Sequence, residues 1–418
     1  MNVVLAYGEH GMSVNVPDHT KLVHPEPHSP SSDTYIAIVR SLLEPLGYKR
    51  TLYDLGKACE TACVVLNAFC PPEVNERLLR PLLKTLHASG LRHSKITILV
   101  TAEYPAEITD EILPKILPDD VIQEYRAETH QVFAYTQHEL IGKTDAQTPV
   151  YIDKRFKKAD IKIITDGLFP HFSFGYTGTP VLLTLGLTGP ETVQAVYKLL
   201  GTHSKEESFL FDLNSRFSQE VQEIVKLSKL DFAVDVSFTR KAQFIDIYAG
   251  RPHNVYETLN EELPFRPNGD PLKPADVVIS STGGFLFETS WYHNLLGLCL
   301  ARRFLKAKSG TIIFATQLFD AFKSKKLTEI QTIEDFVSFF NLDKVIKGTI
   351  DYIFPCLKNT RIIFVSPNFQ KLSHKHDKTN QLTFQSSMEV ALEQLDTPVE
   401  TSKITALTEG LFSHVILR

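Results

Sequence analysis

The chain has 418 residues, which is too long for a single compact core and predicts two domains. Its 44 basic and 49 acidic residues give a formal net charge of -5 at pH 7, so its charge does not favour a nucleic acid or an anionic membrane as a partner. No apolar run reaches the length of about eighteen residues that a membrane-spanning helix needs, and the N-terminus lacks the pattern of a signal peptide. We therefore expect a cytoplasmic protein.

The cysteines argue against a disulfide framework and against structural zinc. They are odd in number and include no CxxC pair, which fits free thiols in a reducing compartment. Their positions are Cys59, Cys63, Cys70, Cys299 and Cys356.

Apolar runs typical of buried β-strands alternate with helix-like segments from residue 62 onward. The strand-like runs are ACVVLNAF, ITILVTA and IKIIT, and helical patterns lie at 76–87, 109–117, 191–200 and 205–229. Such alternation predicts parallel strands joined by crossover helices. The segment DFAVDVSFTRKAQFIDIYAG, at 231–250, has two β-type runs around a polar turn and predicts a hairpin at a sheet edge.

The proline-rich segment ELPFRPNGDPLKPAD, at 262–276, cannot continue a helix or a strand and predicts a linker. After it, VVISSTGG, TIIFAT, RIIFVS and a final HVIL have strand character, with helical patterns at 288–306, 332–356 and 387–395. We expect an N-terminal α/β domain over 1–265 and a smaller C-terminal α/β domain over 275–418. The predicted fold class is α/β, with a mainly parallel sheet in each domain, covered by helices on both faces.

Ligands of such sheets bind at the carboxyl ends of the strands, which directs attention to the stretch PHFSFGYTGTPVLLTLGLTGP at 170–190. His171 follows a predicted strand and is surrounded in sequence by Phe169, Phe172 and Phe174. An apolar environment can move the pKa of an imidazole across neutrality, which suits proton transfer. A loop histidine with satisfied hydrogen bonds is the alternative.

Small residues around this histidine can turn backbone N–H groups toward a ligand. The candidates are Gly175, Thr177, Gly178 and Thr179, together with Gly283 and Gly284 of the STGG segment in the second domain. The stretches contain no GxGxxG and no GxxxxGK[ST] pattern, so they indicate a nucleotide site only weakly.

Several strings together resemble the nickel-pincer lactate racemase family over nearly the whole chain. They include AYGEHGMSVNVPD at 6–18, TPVYIDKRFKKADIKIITDGLFPHFSFGYTG at 148–178, LGLTGPETVQAVY at 185–197 and ADVVISSTGGF at 275–285. The resemblance implies two α/β domains with the active site in the cleft between them. It also implies a nickel pincer nucleotide that is attached to a lysine, holds nickel with help from a histidine, and accepts a hydride from a 2-hydroxy acid. Two further histidines would move the hydroxyl proton.

Carried over residue by residue, the family pattern is largely altered in this chain. The lysine that bears the cofactor corresponds to Val181, and the metal-binding histidine corresponds to Tyr197. Of the two proton-transfer histidines, one is present as His171 and the other corresponds to Tyr104. Because the ordinary pKa of a tyrosine is near 10 and that of a histidine is about 6.5, such a pair is poorly suited to symmetric racemisation.

Two cationic landmarks of the family are also replaced. The substrate-binding arginine belongs near Pro71, and a lysine of the second domain corresponds to Leu296. Both changes remove groups that pair with a carboxylate. The resemblance thus identifies a diverged member of the family, with an active site that has lost most cofactor and catalytic residues.

Three hypotheses follow. The first is a protein without the covalent cofactor that binds a small ligand, hydroxy-acid-like or other, in the cleft through residues such as Val181 and Leu296. The second is a nickel-independent enzyme that uses His171 as general base, with Tyr104, Tyr197 or Glu103 as proton donor. The third is a working 2-hydroxy acid racemase that holds the pincer noncovalently.

Overall fold

The computed structural model describes residues 1–23, 33–103, 108–171, 175–201, 216–262, 274–288, 290–306, 310–317, 332, 335, 357, 359–371 and 381–414. These residues form two compact units. The central unit contains the elements between residues 34 and 262, and the split unit combines the elements before residue 24 with those after residue 274.

The strands and helices of the described residues are numbered here in chain order. The strands are Asn2–Leu5 (β1), Met12–Asn15 (β2), Lys21–Val23 (β3), Ala62–Asn67 (β4), Ile96–Thr101 (β5), Arg126–Thr129 (β6), His138–Lys143 (β7), Pro149–Asp153 (β8), Ile161–Gly167 (β9), Pro170–His171 (β10), Gly175–Tyr176 (β11), Phe232–Phe238 (β12), Phe244–Gly250 (β13), Val277–Ser281 (β14), Gly310–Ala315 (β15), Thr360–Val365 (β16), Leu382–Gln385 (β17) and Ile404–Leu407 (β18). The helices are Thr34–Leu43 (α1), Leu52–Gly56 (α2), Pro72–Ala88 (α3), Leu113–Ile116 (α4), Asp119–Glu124 (α5), Lys154–Lys158 (α6), Thr179–Val181 (α7), Pro190–Gly201 (α8), Arg216–Ser228 (α9), Pro252–Glu262 (α10), Phe285–Glu288 (α11), Trp291–Arg303 (α12) and Met388–Glu393 (α13).

The central unit is built on a six-stranded sheet in the order β13-β12-β9-β4-β5-β6. All neighbours run parallel except β12 and β13, which form an antiparallel pair at one edge. Every residue of β4, β9 and β12 is buried, which explains why these strands read as continuous apolar runs and not as alternating ones. From β4 the sheet grows to one side through β5 and β6, and later to the other side through β9 and β12. Ligands of such sheets bind at this switch point, beyond the carboxyl ends of β4 and β9.

Helix α3 shows how the sequence produces one covering layer. Pro72 stands in its first turn, where the missing N–H costs nothing, and Val74, Leu78, Leu82 and Leu86 repeat every four residues along one buried face. The helix packs on α1 and α2, and the chain turns away at Gly90, which has a φ of 110°.

The split unit has a second six-stranded sheet, all parallel, in the order β17-β16-β15-β14-β18-β3. The β1–β2 hairpin packs its apolar side chains, among them Val3, Leu5 and Val14, into the same core as Ile279 of β14 and Ile313 of β15. Strand β3 closes one edge of the sheet by pairing with β18.

The predicted fold class is confirmed, and the strands at ACVVLNAF, ITILVTA, IKIIT, VVISSTGG, TIIFAT and RIIFVS all form, as does the edge hairpin β12–β13. The division of the chain differs from the expected 1–265 and 275–418, because β3 pairs with β18 and so places residues 1–23 with the C-terminal part. Most of the predicted linker, the helices expected at 332–356 and most of the final strand HVIL lie outside the described residues. The described cysteines form no disulfide, and Cys63, Cys70 and Cys299 are buried.

A buried ionic network connects β6, the β7–β8 hairpin and α6. The Asp153 carboxylate is fully buried and accepts hydrogen bonds from His130 Nδ1 at 2.9 Å and from Arg155 Nη2 at 2.6 Å. Arg155 also donates to Glu128 at 2.5 Å. Burial raises the pKa of Asp153, but the hydrogen bonds from His130 and Arg155 outweigh it and hold that pKa well below its usual range. His138 Nε2 lies 3.5 Å from His130 Nε2, and burial followed by the His130 charge lowers the pKa of His138 to about 4.

Candidate functional site

Four strands of the central sheet place a polar side chain on one line across their carboxyl ends. Asn67 of β4 is in register with Thr101 of β5, and Asp166 of β9 is in register with Asp235 of β12. Asn67 Nδ2 joins the two halves by donating to Asp166 Oδ1 at 2.8 Å. All four side chains are at most 2 % exposed. We call Thr101, Asn67, Asp166 and Asp235 the polar row.

The segment that follows the β10–β11 hairpin is docked onto this polar row. Gly178 N–H donates to Asp166 Oδ2 at 3.1 Å, and Thr179 donates to Asp235 Oδ1 through its N–H at 2.8 Å and its hydroxyl at 2.7 Å. At the other end of the segment, the Thr101 hydroxyl donates to the carbonyl of Gly186. We call residues 175–186 the glycine loop. The polar row therefore holds this loop against the sheet at both ends.

Where the glycine loop meets the sheet, Gly178 has a backbone conformation that favours glycine. Gly178 has a φ of 108°, and a side chain there would also crowd Leu168 and Asp235. Thr177 fastens the start of the loop, since its hydroxyl donates to Gly167 O and accepts from Phe169 N–H, both at 2.8 Å. After α7 the chain forms a π-helical turn at Leu182–Gly186, a geometry that is frequent at functional sites.

The carboxyl groups of the polar row lie in a dry, acidic environment. Burial raises the pKa of Asp166 well above its usual value, and the charges of Glu103 and Asp235 add to the rise. Burial also raises the pKa of Asp235 to about 7, against the hydrogen bonds from Thr179 that lower it. Strongly perturbed carboxyl groups at the carboxyl edge of a parallel sheet are a typical feature of a functional site.

The proton-transfer candidates are placed as follows. His171 is fully buried in β10, where it pairs with Gly175 in the short hairpin that opens the glycine loop. Glu103 is fully buried just after β5, close enough to Asp166 to raise the pKa of that carboxyl. Tyr197 is buried on α8, and Tyr104 lies outside the described residues. The structure thus brings Glu103 to the polar row and His171 to the start of the loop.

Val181, the residue that corresponds to the family's lysine, lies at the end of α7 and is 1 % exposed. It lines a small cavity in the central unit together with Pro180, Val221 of α9, and Tyr256 and Leu259 of α10. Helices α9 and α10 also contribute the polar residues Ser218 and Asn260 to this cavity.

The remaining candidates belong to the split unit. Gly283 and Gly284 follow β14 with φ values of 128° and 106°, and Leu296 is buried on α12. Nearby in this unit, the buried Glu288 carboxylate accepts the N–H of Gly8 at 3.1 Å. Burial raises the pKa of Glu288 to about 7, although hydrogen bonds from the backbone of Gly8 and Gln317 lower it.

Gly186→Ala should destabilise the protein by about 2 kcal/mol, because the added methyl group overlaps the main-chain carbonyl of Ala102 and a backbone cannot yield as a side chain does. Urea unfolding followed by circular dichroism measures the loss. Gly189→Ala is the matched control, since its methyl group would meet its nearest neighbour, Tyr151 Cβ, at 3.3 Å. Equal losses in the two variants would contradict the close approach of loop and strand.

Asp166, Asp235 and Asn67 are site residues that the motif analysis missed. Each stands in a strand whose other residues are mainly apolar, in the strings VVLN, IITD and FAVD. A polar or ionisable side chain inside a fully buried strand is costly unless it is hydrogen-bonded. Such residues within otherwise apolar runs could therefore have indicated the site from the sequence. In the described part of the chain, no group of three or more His, Cys, Asp or Glu side chains is arranged to hold a metal ion.

The fold and the docked glycine loop define an α/β protein of two units, each with a mainly parallel sheet and polar groups at its carboxyl edge. A family model described as the lactate racemase N-terminal domain matches residues 7–208. This match covers just under half of the chain and supports a relationship to the lactate racemase family.

A lactate racemase from Thermoanaerobacterium thermosaccharolyticum is 22% identical over 294 residues, which cover 68% of this chain and 66% of that relative, slightly less than two thirds of its length. The structure of the lactate racemase apoprotein from the same organism covers 98% of this chain and 99% of its own, with a TM-score of 0.78 and 18% identity. A crystal structure of a protein from Thermotoga maritima covers 92% and 99%, with a TM-score of 0.59 and 13% identity. Among the residues that the structure describes, no helix has the length and apolar character needed to cross a membrane.

Proposed function

We propose that this chain is a diverged member of the lactate racemase family that binds a small ligand beside the glycine loop and does not carry a covalent nickel-pincer cofactor. The observation that carries the proposal is the state of position 181. Its side chain is a buried valine at the end of a docked helical turn, and it has no amine with which an amide link to a cofactor can form.

The neighbouring chemistry supports the same conclusion. Tyr197, at the position of the metal-binding histidine, is a buried phenol on α8 and not an imidazole. Pro71 and Leu296 supply no positive charge where the family has an arginine and a lysine. These side chains do not fit the covalent pincer as the resemblance describes it.

The buried carboxyl groups near the glycine loop restrict the kind of ligand that can bind there. Glu103, Asp166 and Asp235 are all buried near this edge of the sheet, and a carboxylate ligand placed beside them would be repelled unless they hold protons. Protonated carboxyl groups donate hydrogen bonds, which suits hydroxyl and carbonyl oxygens. We therefore propose a small oxygen-rich ligand, such as a hydroxy acid or a neutral analogue of one.

A second candidate function is nickel-independent proton transfer or elimination, with His171 as general base. It is favoured by one observation, the raised pKa values of Asp166 and Asp235, because carboxyl groups that keep their protons near neutral pH can serve as general acids. If a turnover is found, His171→Ala should abolish it, and an unchanged rate would exclude this function.

Nickel content tests the proposed function directly. The protein is purified from cells that also make the pincer cofactor and is analysed by plasma mass spectrometry, beside a family member that carries lysine at the position of Val181. We expect stoichiometric nickel in that control and only the level of a buffer blank in this chain. Stoichiometric nickel in this chain would overturn the proposal and would return racemisation of 2-hydroxy acids as the leading function.

A further inference from the structure

Asp166 and Asp235 lie directly side by side, because they are register partners on the adjacent parallel strands β9 and β12. Adjacent strands are about 4.8 Å apart, so the two carboxyl groups on this face are near neighbours. Both are essentially excluded from water, at 1 % and 0 % exposure. Such a pair is unusual in a sheet, where like charges directly opposite each other are destabilising.

Three of the four carboxyl oxygens have defined partners. Asp166 Oδ1 accepts from Asn67 Nδ2 and from Gly167 N–H, and Asp166 Oδ2 accepts from Gly178 N–H. Asp235 Oδ1 accepts both donors of Thr179. Asp235 Oδ2 is buried and has no hydrogen-bond partner among the described residues. It would lie 3.3 Å from a Cβ atom on Gly178, the residue that Asp166 Oδ2 contacts.

Of two titratable groups near the pair, one adds negative charge and the other stays neutral. Glu103 follows β5 and raises the pKa of Asp166, and the Cys70 thiol, which follows β4, is itself kept protonated by burial and by the charges of Asp166 and Glu103. Two adjacent carboxylates in a dry site cannot both be ionised without a large cost, so the pair retains a proton near neutral pH. The unpartnered Oδ2 of Asp235 is the atom where that proton is accommodated.

We propose that Asp166 and Asp235 are positioning residues that share a proton and thereby clamp the glycine loop to the sheet, and that loss of this proton releases the loop. While the proton is present, the pair carries a single charge and holds Gly178 and Thr179 through three hydrogen bonds. Once it leaves, the repulsion between two carboxylates is relieved when the strand ends and the loop move apart. Access to the region around Val181 therefore increases with pH.

Amide hydrogen exchange of peptides that cover the glycine loop tests the clamp without requiring a known ligand. After correction for the intrinsic pH dependence of exchange, wild-type protection of the loop should fall by about tenfold from pH 5 to pH 6 and level off above pH 7, since opening below that pH is accompanied by loss of one proton. Asp235→Asn should hold its protection constant over the same range. The asparagine oxygen still accepts from Thr179, and its amide donates where the shared proton did.

Two further variants complete the test. Asp246→Asn, the same change on the neighbouring strand β13, should behave as the wild type does. Asp235→Ala removes the acceptor and should expose the loop at every pH. A wild-type loop whose corrected protection does not change with pH, or an Asp235→Asn loop that opens as the wild type does, would overturn the proposal. Because this readout does not depend on nickel or on a ligand, its failure is distinct from failure of the proposed function.

Discussion

Asp153→Ala should lower the free energy of unfolding by about 4 kcal/mol. The substitution removes a buried carboxylate that accepts hydrogen bonds from His130, from the Arg155 guanidinium and from the Arg155 main-chain N–H at 2.8 Å. It leaves the buried His130 without its carboxylate acceptor and leaves Arg155 with Glu128 as its remaining carboxylate partner. A buried polar group without its partner costs more than a missing apolar contact. The affected elements are β6, the β7–β8 hairpin and α6.

Urea unfolding followed by circular dichroism measures this loss, and Asp145→Ala provides the control. Asp145 is exposed in the turn between β7 and β8, the hairpin that ends in Asp153, so the same substitution there should change stability by less than about 0.5 kcal/mol. Similar losses in both variants would show that the network has little energetic importance. An intermediate result for Asp153→Asn, which keeps the shape and loses the charge, would separate the ionic contribution from the hydrogen bonds.

Between pH 4 and pH 8, the free energy of unfolding of Asp235→Asn should rise by about 4 kcal/mol relative to that of the wild type. The pKa of Asp235 rises from 3.8 to about 7 on folding. Between these values the folded state binds more protons than the unfolded state, so this group's contribution to stability falls as the pH rises and levels off above pH 7. Asparagine has no such titration, so the stability of the variant relative to the wild type should rise up to about pH 7 and then level off.

The comparison must be made as a difference between variant and wild type at each pH. His138 acts in the opposite direction, because its pKa falls from 6.5 to about 4 on folding and its contribution is lost as the pH falls through that window. The two slopes partly cancel in the wild-type curve. A difference curve without slope would show that folding does not raise the pKa of Asp235.

The fold was largely predictable because it rests on strands that are buried on both faces. Runs such as ACVVLNAF and IKIIT are continuously apolar, as expected of strands buried on both faces. Helical patterns separate these runs, and this alternation predicts the parallel strands that the central sheet shows. The pairing of β3 with β18 was not predictable, since three residues of weak strand character contain no information about a partner so distant in the chain.

The candidate site was only partly predictable, for a related physical reason. The glycine loop and His171 are adjacent in sequence, so a local motif finds them. The polar row is assembled from four strands, and Asp166 meets Asp235 only through the register of β9 and β12. The replacement of a lysine by Val181 could be inferred from the resemblance, but its burial among α9 and α10 depends on tertiary packing.

The pairing of β3 with β18 also determines the order in which the molecule can be completed. A ribosome releases β3 early, yet the strand beside which it belongs emerges only after residue 404 has been made. The helices and strands of the central unit are all synthesised between these events. This unit can therefore reach its native contacts first, because domains generally fold as units during synthesis. Until β18 has been made, β3 has no partner strand in the sheet of the split unit. A chain that ends before β18 can therefore complete the central unit, but the split unit lacks the pairing that joins β3 to its sheet.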